Sequence, residues 1–276
     1  MMPKKMIQHV VIAASMTLGA SQAATAGGVQ TYRATFDALW NSTDHPNNFP
    51  LNAHFSPLVG ASHGSGFDIW TSGEVASGPV ELVAELGSSS QLIGVINSAV
   101  SAGTALERVS GSAPNSPGVS TTNIFDISES HPYFSLITMV APSHDWFVGL
   151  DSLDLRNGAG GFRHTVVIDL IVWDAGTEPG TDFSLAGSVE EGGVIHVLPD
   201  VEAIFGGAAP IARITINRLN ALAGDINADG IVDAADLGVL IGVFGTDSIA
   251  GDLNGDGAVD TADLGLLIAE FGATAP

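Results

Sequence analysis

The 276-residue chain contains no cysteine, and both of its lysines, Lys4 and Lys5, lie among the first five residues. Without thiols there is no disulfide, no thiolate nucleophile and no cysteine metal ligand, so a packed core must hold the fold. Past Lys5 no ammonium side chain remains. This excludes a Schiff-base lysine and the lysine-dependent phosphate loop. Positive charge is scarce throughout: the other strong bases are Arg33, Arg108, Arg156, Arg163, Arg213 and Arg218, against thirty Asp and Glu, which leaves −24 beyond Lys5. Such a surface repels nucleic acid and anionic membrane and attracts cations. Long apolar runs are missing as well. The run from Val10 to Ala20 is too short to cross a hydrocarbon layer of about 30 Å as a helix.

That run follows Lys4 and Lys5 and precedes Ser21-Gln22-Ala23-Ala24-Thr25-Ala26, a stretch of mostly small residues. Basic start, apolar middle and small residues at cleavage spacing are the order of a secretory signal peptide. Residues 1–26 are therefore expected to be a signal peptide. The rest is expected to be secreted and extracellular, without a transmembrane segment, its attachment to a cell surface left open. Hydrophobic residues at 45% together with 34 glycines indicate a globular, loop-rich chain.

What the sequence does have is an internal repeat. At a shift of 27, Asp225-Ile226-Asn227-Ala228-Asp229-Gly230 superposes on Asp252-Leu253-Asn254-Gly255-Asp256-Gly257. The match continues through Asp233 on Asp260, Asp236 on Asp263, Leu240 on Leu267 and Phe244 on Phe271. Calcium takes six to eight oxygens, which a loop of about twelve residues supplies from positions 1, 3, 5, 7, 9 and 12. Here these are Asp225, Asn227, Asp229, the carbonyl of Ile231, Asp233 and Asp236 in the first loop. In the second they are Asp252, Asn254, Asp256, the carbonyl of Ala258, Asp260 and Asp263. Gly230 and Gly257 stand at position 6, where the chain must turn sharply. Leu237, Leu240, Ile241 and Phe244, and likewise Leu264, Leu267, Ile268 and Phe271, then recur as one face of a helix. Neither helix can bury its stripe alone, so the two are expected to pack together. From Gly224 onward there are ten acidic residues and no basic one.

A loop followed by a helix, twice, with no helix entering the first loop, resembles the type I dockerin module of secreted cellulosomal and related bacterial proteins. Asp at position 12 fits that resemblance. It implies two calcium ions and a cohesin-type partner. The hydroxyl pairs that dockerins carry at loop positions 10 and 11 are Ala234-Ala235 and Thr261-Ala262 here, so the familiar recognition face is altered.

Upstream, Tyr32, Ala34, Phe36, Ala38 and Trp40 alternate with other residues as in a half-buried strand. Strand-like runs recur over 119–127, 134–140, 146–155, 165–173 and 211–218, and two short helices are expected after Pro79 and around Leu92 to Ala99. The fold class is therefore mainly β: an antiparallel β-sandwich with a short helical insertion over 28–220, plus a small all-α module over 224–273. If the strands on either side of residues 157–164 form a hairpin, Asp145 and Asp174 meet at one sheet edge, where carboxylates can bind a hard cation. Capping of turns is the alternative role for both.

The blocks His54-Phe55-Ser56-Pro57-Leu58-Val59-Gly60-Ala61-Ser62-His63, Ala141-Pro142-Ser143-His144-Asp145-Trp146-Phe147-Val148-Gly149 and Trp173-Asp174-Ala175-Gly176-Thr177 resemble the spondin N-terminal domain. That family occurs in extracellular matrix proteins and bacterial secreted proteins. The resemblance implies adhesion or matrix binding rather than catalysis, and one calcium ion in the sandwich with Asp126 as third ligand. Gly60-Ala61-Ser62-His63-Gly64 also matches G-x-S-x-G, but no strand–turn–helix context surrounds it. The alternatives left open are a polysaccharide hydrolase or accessory protein carried on a cohesin scaffold, and a tail that serves only as an internal calcium clip.

Overall fold

Residues Gln30–Ala38 (β1) turn Tyr32, Ala34, Phe36 and Ala38 inward and Arg33 outward, the alternation read from the sequence. The computed structural model describes residues 28–185, 192–219 and 221–275; the expected signal peptide lies outside them. After β1 come β2 (His54–Phe55), β3 (Val59–His63), α1 (Gly78–Leu86), α2 (Ser90–Ala102) and β4 (Ala105–Ser110). Next are β5 (Gly118–Thr121), β6 (Phe125–Ile127), β7 (Tyr133–Ala141), β8 (Trp146–Asp154), β9 (Thr165–Asp169) and β10 (Val172–Asp174). The chain ends with β11 (His196–Val197), α3 (Val201–Phe205), β12 (Ala212–Arg218), α4 (Ala234–Gly242) and α5 (Thr261–Ala269).

The strands form two antiparallel sheets. One runs β5-β1-β12-β9, with β6 also on β1; the other runs β11-β10-β8-β7-β3-β4, with β2 on β7. The core between them takes Tyr32, Phe36, Ile214 and Ile216 from the first sheet and Phe134, Leu136, Trp146 and Val148 from the second. On the outer face of the second sheet, Val80, Val83, Leu92 and Ile96 of α1 and α2 pack over Val59, Ile137 and Phe147. Covered on both faces, β7 is buried from Phe134 to Ala141 and reads as a nearly continuous apolar run. Its two buried hydroxyls are satisfied: Thr138 donates to the Ser56 carbonyl at 2.7 Å, and Ser135 lies 2.8 Å from the His63 ring. Pro79 opens α1, and Gly87 at φ +63° closes it.

The structure is mainly β with antiparallel sheets and a helical tail module, and it corrects two expectations about strands. The single strand expected over 165–173 is two, β9 pairing β12 in the first sheet and β10 pairing β8 in the second. Between them the chain crosses the core edge, burying Leu170 and exposing Ile171. The segment 157–164 is thus a crossover between sheets and not a hairpin. The run 119–127 likewise breaks where Thr122 and Asn123 turn their amides to Ala34 and Ser110, although β5 and β6 both remain on β1.

At one end of the sandwich Trp40, Trp146, Phe183 and Phe205 pack ring against ring, with centroids 5.1 Å apart for Trp40–Phe183 and 5.4 Å for Trp40–Phe205. Phe205→Ala is expected to cost about 3–5 kcal/mol of stability in urea unfolding; a loss under about 1 kcal/mol would show that this cluster does not hold the sheets together. His63 is fully buried, its Nδ1 on the Gly64 carbonyl and its Nε2 on Ser135, and burial pushes its pKa down. The unfolded chain then binds a proton near pH 6.5 that the folded chain refuses. Stability from this group should be complete above that pH and decline below it toward the lowered folded value. His63→Gln should flatten that part of the curve in unfolding measured from pH 7.5 to 6; an unchanged slope would contradict it.

Candidate metal centres

The two tail loops share nearly all of their hydrogen bonds, Asp252 alone also accepting the amide of position 4, Gly255, at 2.7 Å. In the first, the Asp225 carboxylate accepts the amides of Asp229 and Gly230, each at 3.1 Å. In the second, Asp252 accepts those of Asp256 and Gly257 at the same distances. Asn227 donates to Asp229 and Asn254 to Asp256, both at 2.9 Å. Position 12 then ties each loop shut: Asp236 accepts the amide of Ile226 at 2.8 Å and of Asp233 at 2.9 Å, and Asp263 accepts that of Leu253 at 2.8 Å and of Asp260 at 2.8 Å. Asp233 and Asp260 serve as N-caps of α4 and α5, and Asp236 and Asp263 complete a capping box at N3. One carboxylate at position 12 therefore fixes both the loop and the start of its helix.

The two halves interlock. Val232 exchanges backbone bonds with Gly272 and Ala273 beyond α5, and Val259 does the same with Gly245 and Thr246 beyond α4. Ile226, Val232, Leu240, Leu253, Val259 and Leu267 form the tail's core. The stripes expected to be buried are so only in part, which corrects the sequence reading: each helix stops at Gly242 or Ala269, and Ile241, Phe244, Ile268 and Phe271 remain exposed.

The charge in these loops fits a hard cation. Asp236 and Asp263 are fully buried, and Asp225 and Asp252 nearly so. Among the described residues no ion pair involves a tail carboxylate. Burial pushes the Asp225 carboxyl up, and Asp236 and Asp229 push it further. Backbone amides and, for Asp225, the nearby Arg218 compensate these buried carboxylates in part, and a divalent ion surrounded by oxygens would offset the remaining cost. No three Asp, Glu or His side chains alone form a cage among the described residues. The donor set read from the loops is mixed, an amide at position 3 and a carbonyl at position 7 completing the carboxylates.

In the sandwich, β10 pairs with β8 and sets Asp174 opposite Trp146, the neighbour of Asp145, so the two aspartates lie at the same end of these strands, with Asp174 accepting the Gly176 amide at 2.8 Å. Asp145 is fully buried; one carboxylate oxygen accepts the amides of Thr177 and Glu178 at 2.8 and 3.1 Å, and the other, Oδ1, has no partner. Burial pushes the Asp145 carboxyl up despite those bonds. Glu85 on α1 stands near Glu178 and Asp145 and is pushed up too, by burial first. Neither Glu85 nor Glu178 was singled out from sequence, although Glu178 follows Asp174 by only four positions. Asp126 is not part of this group. It lies on β6 beside the start of β1, where it accepts from the Thr31 hydroxyl at 2.8 Å, whereas Asp145 lies at the end near Trp40. β1 separates those ends, so its length keeps Asp126 from the pair.

Ser62 lies fully buried in β3, between β4 and β7 of an antiparallel sheet, and the His63 ring faces Ser135 instead. The G-x-S-x-G match therefore lacks the exposed turn of a nucleophile.

Comparison with known proteins agrees with this architecture. The Spondin_N family profile matches residues 30–192, and that of the dockerin type I domain matches 223–272. Spondin-2 of Rattus norvegicus is 36% identical over 178 residues, covering 62% of this chain and 53% of the relative. Spondin-2 of Homo sapiens is 35% identical over 179 residues, with the same coverages, and Spondin-1 of Rattus norvegicus is 34% identical over 161 residues, covering 56% of this chain and 20% of the relative. The chain spans about half the length of the spondin-2 relatives and a fifth of the spondin-1 relative. With two sheets, a matched N-terminal domain and a duplicated loop–helix tail, the chain belongs to the Spondin_N family and carries a type I dockerin domain after it.

Proposed function

We propose that the chain is an exported calcium-binding protein of the adhesion or matrix-binding kind, not an enzyme. Its sandwich contacts an extracellular or cell-surface component, and its tail, holding two calcium ions, attaches it to a cohesin-type protein. The observation that carries this reading is the pair of loops with one hydrogen-bond pattern, buried carboxylates and no base of their own. Asp225, Asn227, Asp229, Ile231, Asp233 and Asp236 hold one ion, and Asp252, Asn254, Asp256, Ala258, Asp260 and Asp263 the other. Calcium supplies the positive charge that lets these oxygens stay close together. In the sandwich, Asp145 and Asp174 are proposed to hold a third ion, with Glu85 and Glu178 as neighbours; Asp126 keeps its bond to Thr31.

The exposed Ile241, Phe244, Ile268 and Phe271, repeated at the shift of 27, offer a symmetric apolar face to the partner. It stands in for the hydroxyl pairs missing at 234–235 and 261–262.

Calorimetric titration of calcium into the exported chain is expected to lose one tail ion in Asp236→Ala and the other in Asp263→Ala, with helical circular dichroism falling in each. An unchanged titration would contradict the tail sites. A purified cohesin-type domain is expected to bind in calcium and not in chelator, and Ile241→Asp with Ile268→Asp should weaken it by about a hundredfold. Equal binding with and without calcium would overturn the attachment role.

A further inference from the structure

The tail does not hang from the sandwich on a tether. Its calcium loops lie directly against the segment 157–164, which crosses between the sheets, and against β9. The Asn157 side chain donates from Nδ2 to the Ile226 carbonyl at 2.7 Å, while its Oδ1 accepts the amides of Ala159 and Gly161 at 2.9 and 3.1 Å. Ala159 packs on the tail's own core. A Cβ added at Gly161 would stand 2.5 Å from the Ile226 carbonyl oxygen and 3.1 Å from the Ala228 methyl. The second loop makes the mirror arrangement: a Cβ at Gly255 would stand 2.9 Å from the Thr165 carbonyl oxygen. Loop position 4 is thus Ala228 where the sandwich offers a glycine and Gly255 where it offers a strand backbone. Close approach on both sides is built in, one glycine to each contact.

Charge matches across the same seam. Three of the six arginines beyond the first five residues gather there. Buried Arg218 bonds the carbonyls of Phe162 and Leu222 at 3.3 and 3.1 Å and lies near Asp225 and Glu270. Arg163 lies near Asp252, and His164, bonded to the Thr165 hydroxyl at 3.1 Å, lies near Leu253. Arg213, paired with Asp169, lines a cavity of about 320 Å³ with Asn254, Gly255 and Asp256.

We propose that the tail is a calcium-dependent clasp, docked on its own sandwich through both ion-binding loops, so that calcium binding and docking strengthen each other. The coupling rests on the calcium reading above and follows from which atoms touch. The docking groups are the Ile226 carbonyl and Ala228, at positions 2 and 4 of the first loop, and Gly255, at position 4 of the second. Their places are set by the same carboxylates that take the ion, since Asp236 and Asp263 hold the amides of Ile226 and Leu253. When the ion leaves, four carboxylates in each loop repel one another and positions 2 and 4 shift off the sandwich. By linkage, whatever factor calcium adds to docking, docking adds to calcium affinity. The clasp also fixes the direction of the apolar face of α4 and α5 relative to the sandwich.

The test substitutes the sandwich and reads the tail. Gly161→Val places bulk against Ile226 and Ala228; Asn157→Asp keeps the acceptor that orders residues 157–164 and replaces the donor to Ile226 with a negatively charged oxygen that repels its carbonyl. Neither residue is among the ion's ligands. In calorimetry the variants are expected to bind calcium in the tail with unchanged stoichiometry and about tenfold weaker affinity. In the unsubstituted chain, amide exchange over 157–164 should slow by at least about tenfold when calcium replaces chelator. Should Gly161→Val fail to fold, Asn157→Asp and the exchange measurement decide. Unchanged affinity with exchange equal in calcium and chelator would overturn the clasp while leaving the tail sites intact. Absence of any calcium binding in the tail would overturn both readings together.

Discussion

Burial of the position-12 carboxylates, Asp236 and Asp263, is the constraint on which the rest of the tail depends. Each is fully enclosed and holds the first amides of its loop and the N-cap amide of its helix. Backbone amides stabilise such groups, and a nearby positive charge would stabilise them further. The tail provides none, having ten acidic residues and no basic one from Gly224 onward. A divalent cation in each loop would supply it, and two would still leave the module acidic. The loop geometry, the start of each helix and the exchange of backbone bonds through Val232 and Val259 then follow from one source.

The core of the sandwich is apolar. Tyr32, Phe36, Trp40, Phe134, Trp146 and Phe205 fill the space between the sheets, and α1 and α2 cover the outer face of the second. What it adds is a second, different acidic site. Asp145 is buried with one oxygen unpartnered, beside Asp174 and near Glu85 and Glu178. It contributes as well the arginines that face the tail, so the scarce positive charge of the chain is concentrated where two acidic bodies meet.

Much of this was legible in the sequence, for identifiable reasons. The tail repeat could be read because acidic and amide residues recur at fixed spacing, and the side-chain hydrogen bonds of Asp225, Asn227, Asp229, Asp233 and Asp236 stay within the loop and the start of its helix. The mainly β class could be read from alternation in β1 and β12. Illegible were features set by long-range pairing. β10 leaves β9 to join β8, which brings Asp174 to Asp145 by strand pairing instead of a hairpin and leaves Asp126 at the far end of β1. β3 carries small residues and a histidine whose partner, Ser135, is 72 positions away. The seam at Asn157, Gly161 and Arg218 gave no signal either, since an Asn and a Gly in an irregular segment read as ordinary turn residues.

On the proposed clasp, calcium in two repeated loops makes one body of the sandwich and the tail. Small-angle scattering from the whole exported chain tests it most directly. A single compact particle is expected in calcium and, in chelator, a larger maximum dimension as the tail detaches. Identical scattering in both conditions would contradict it.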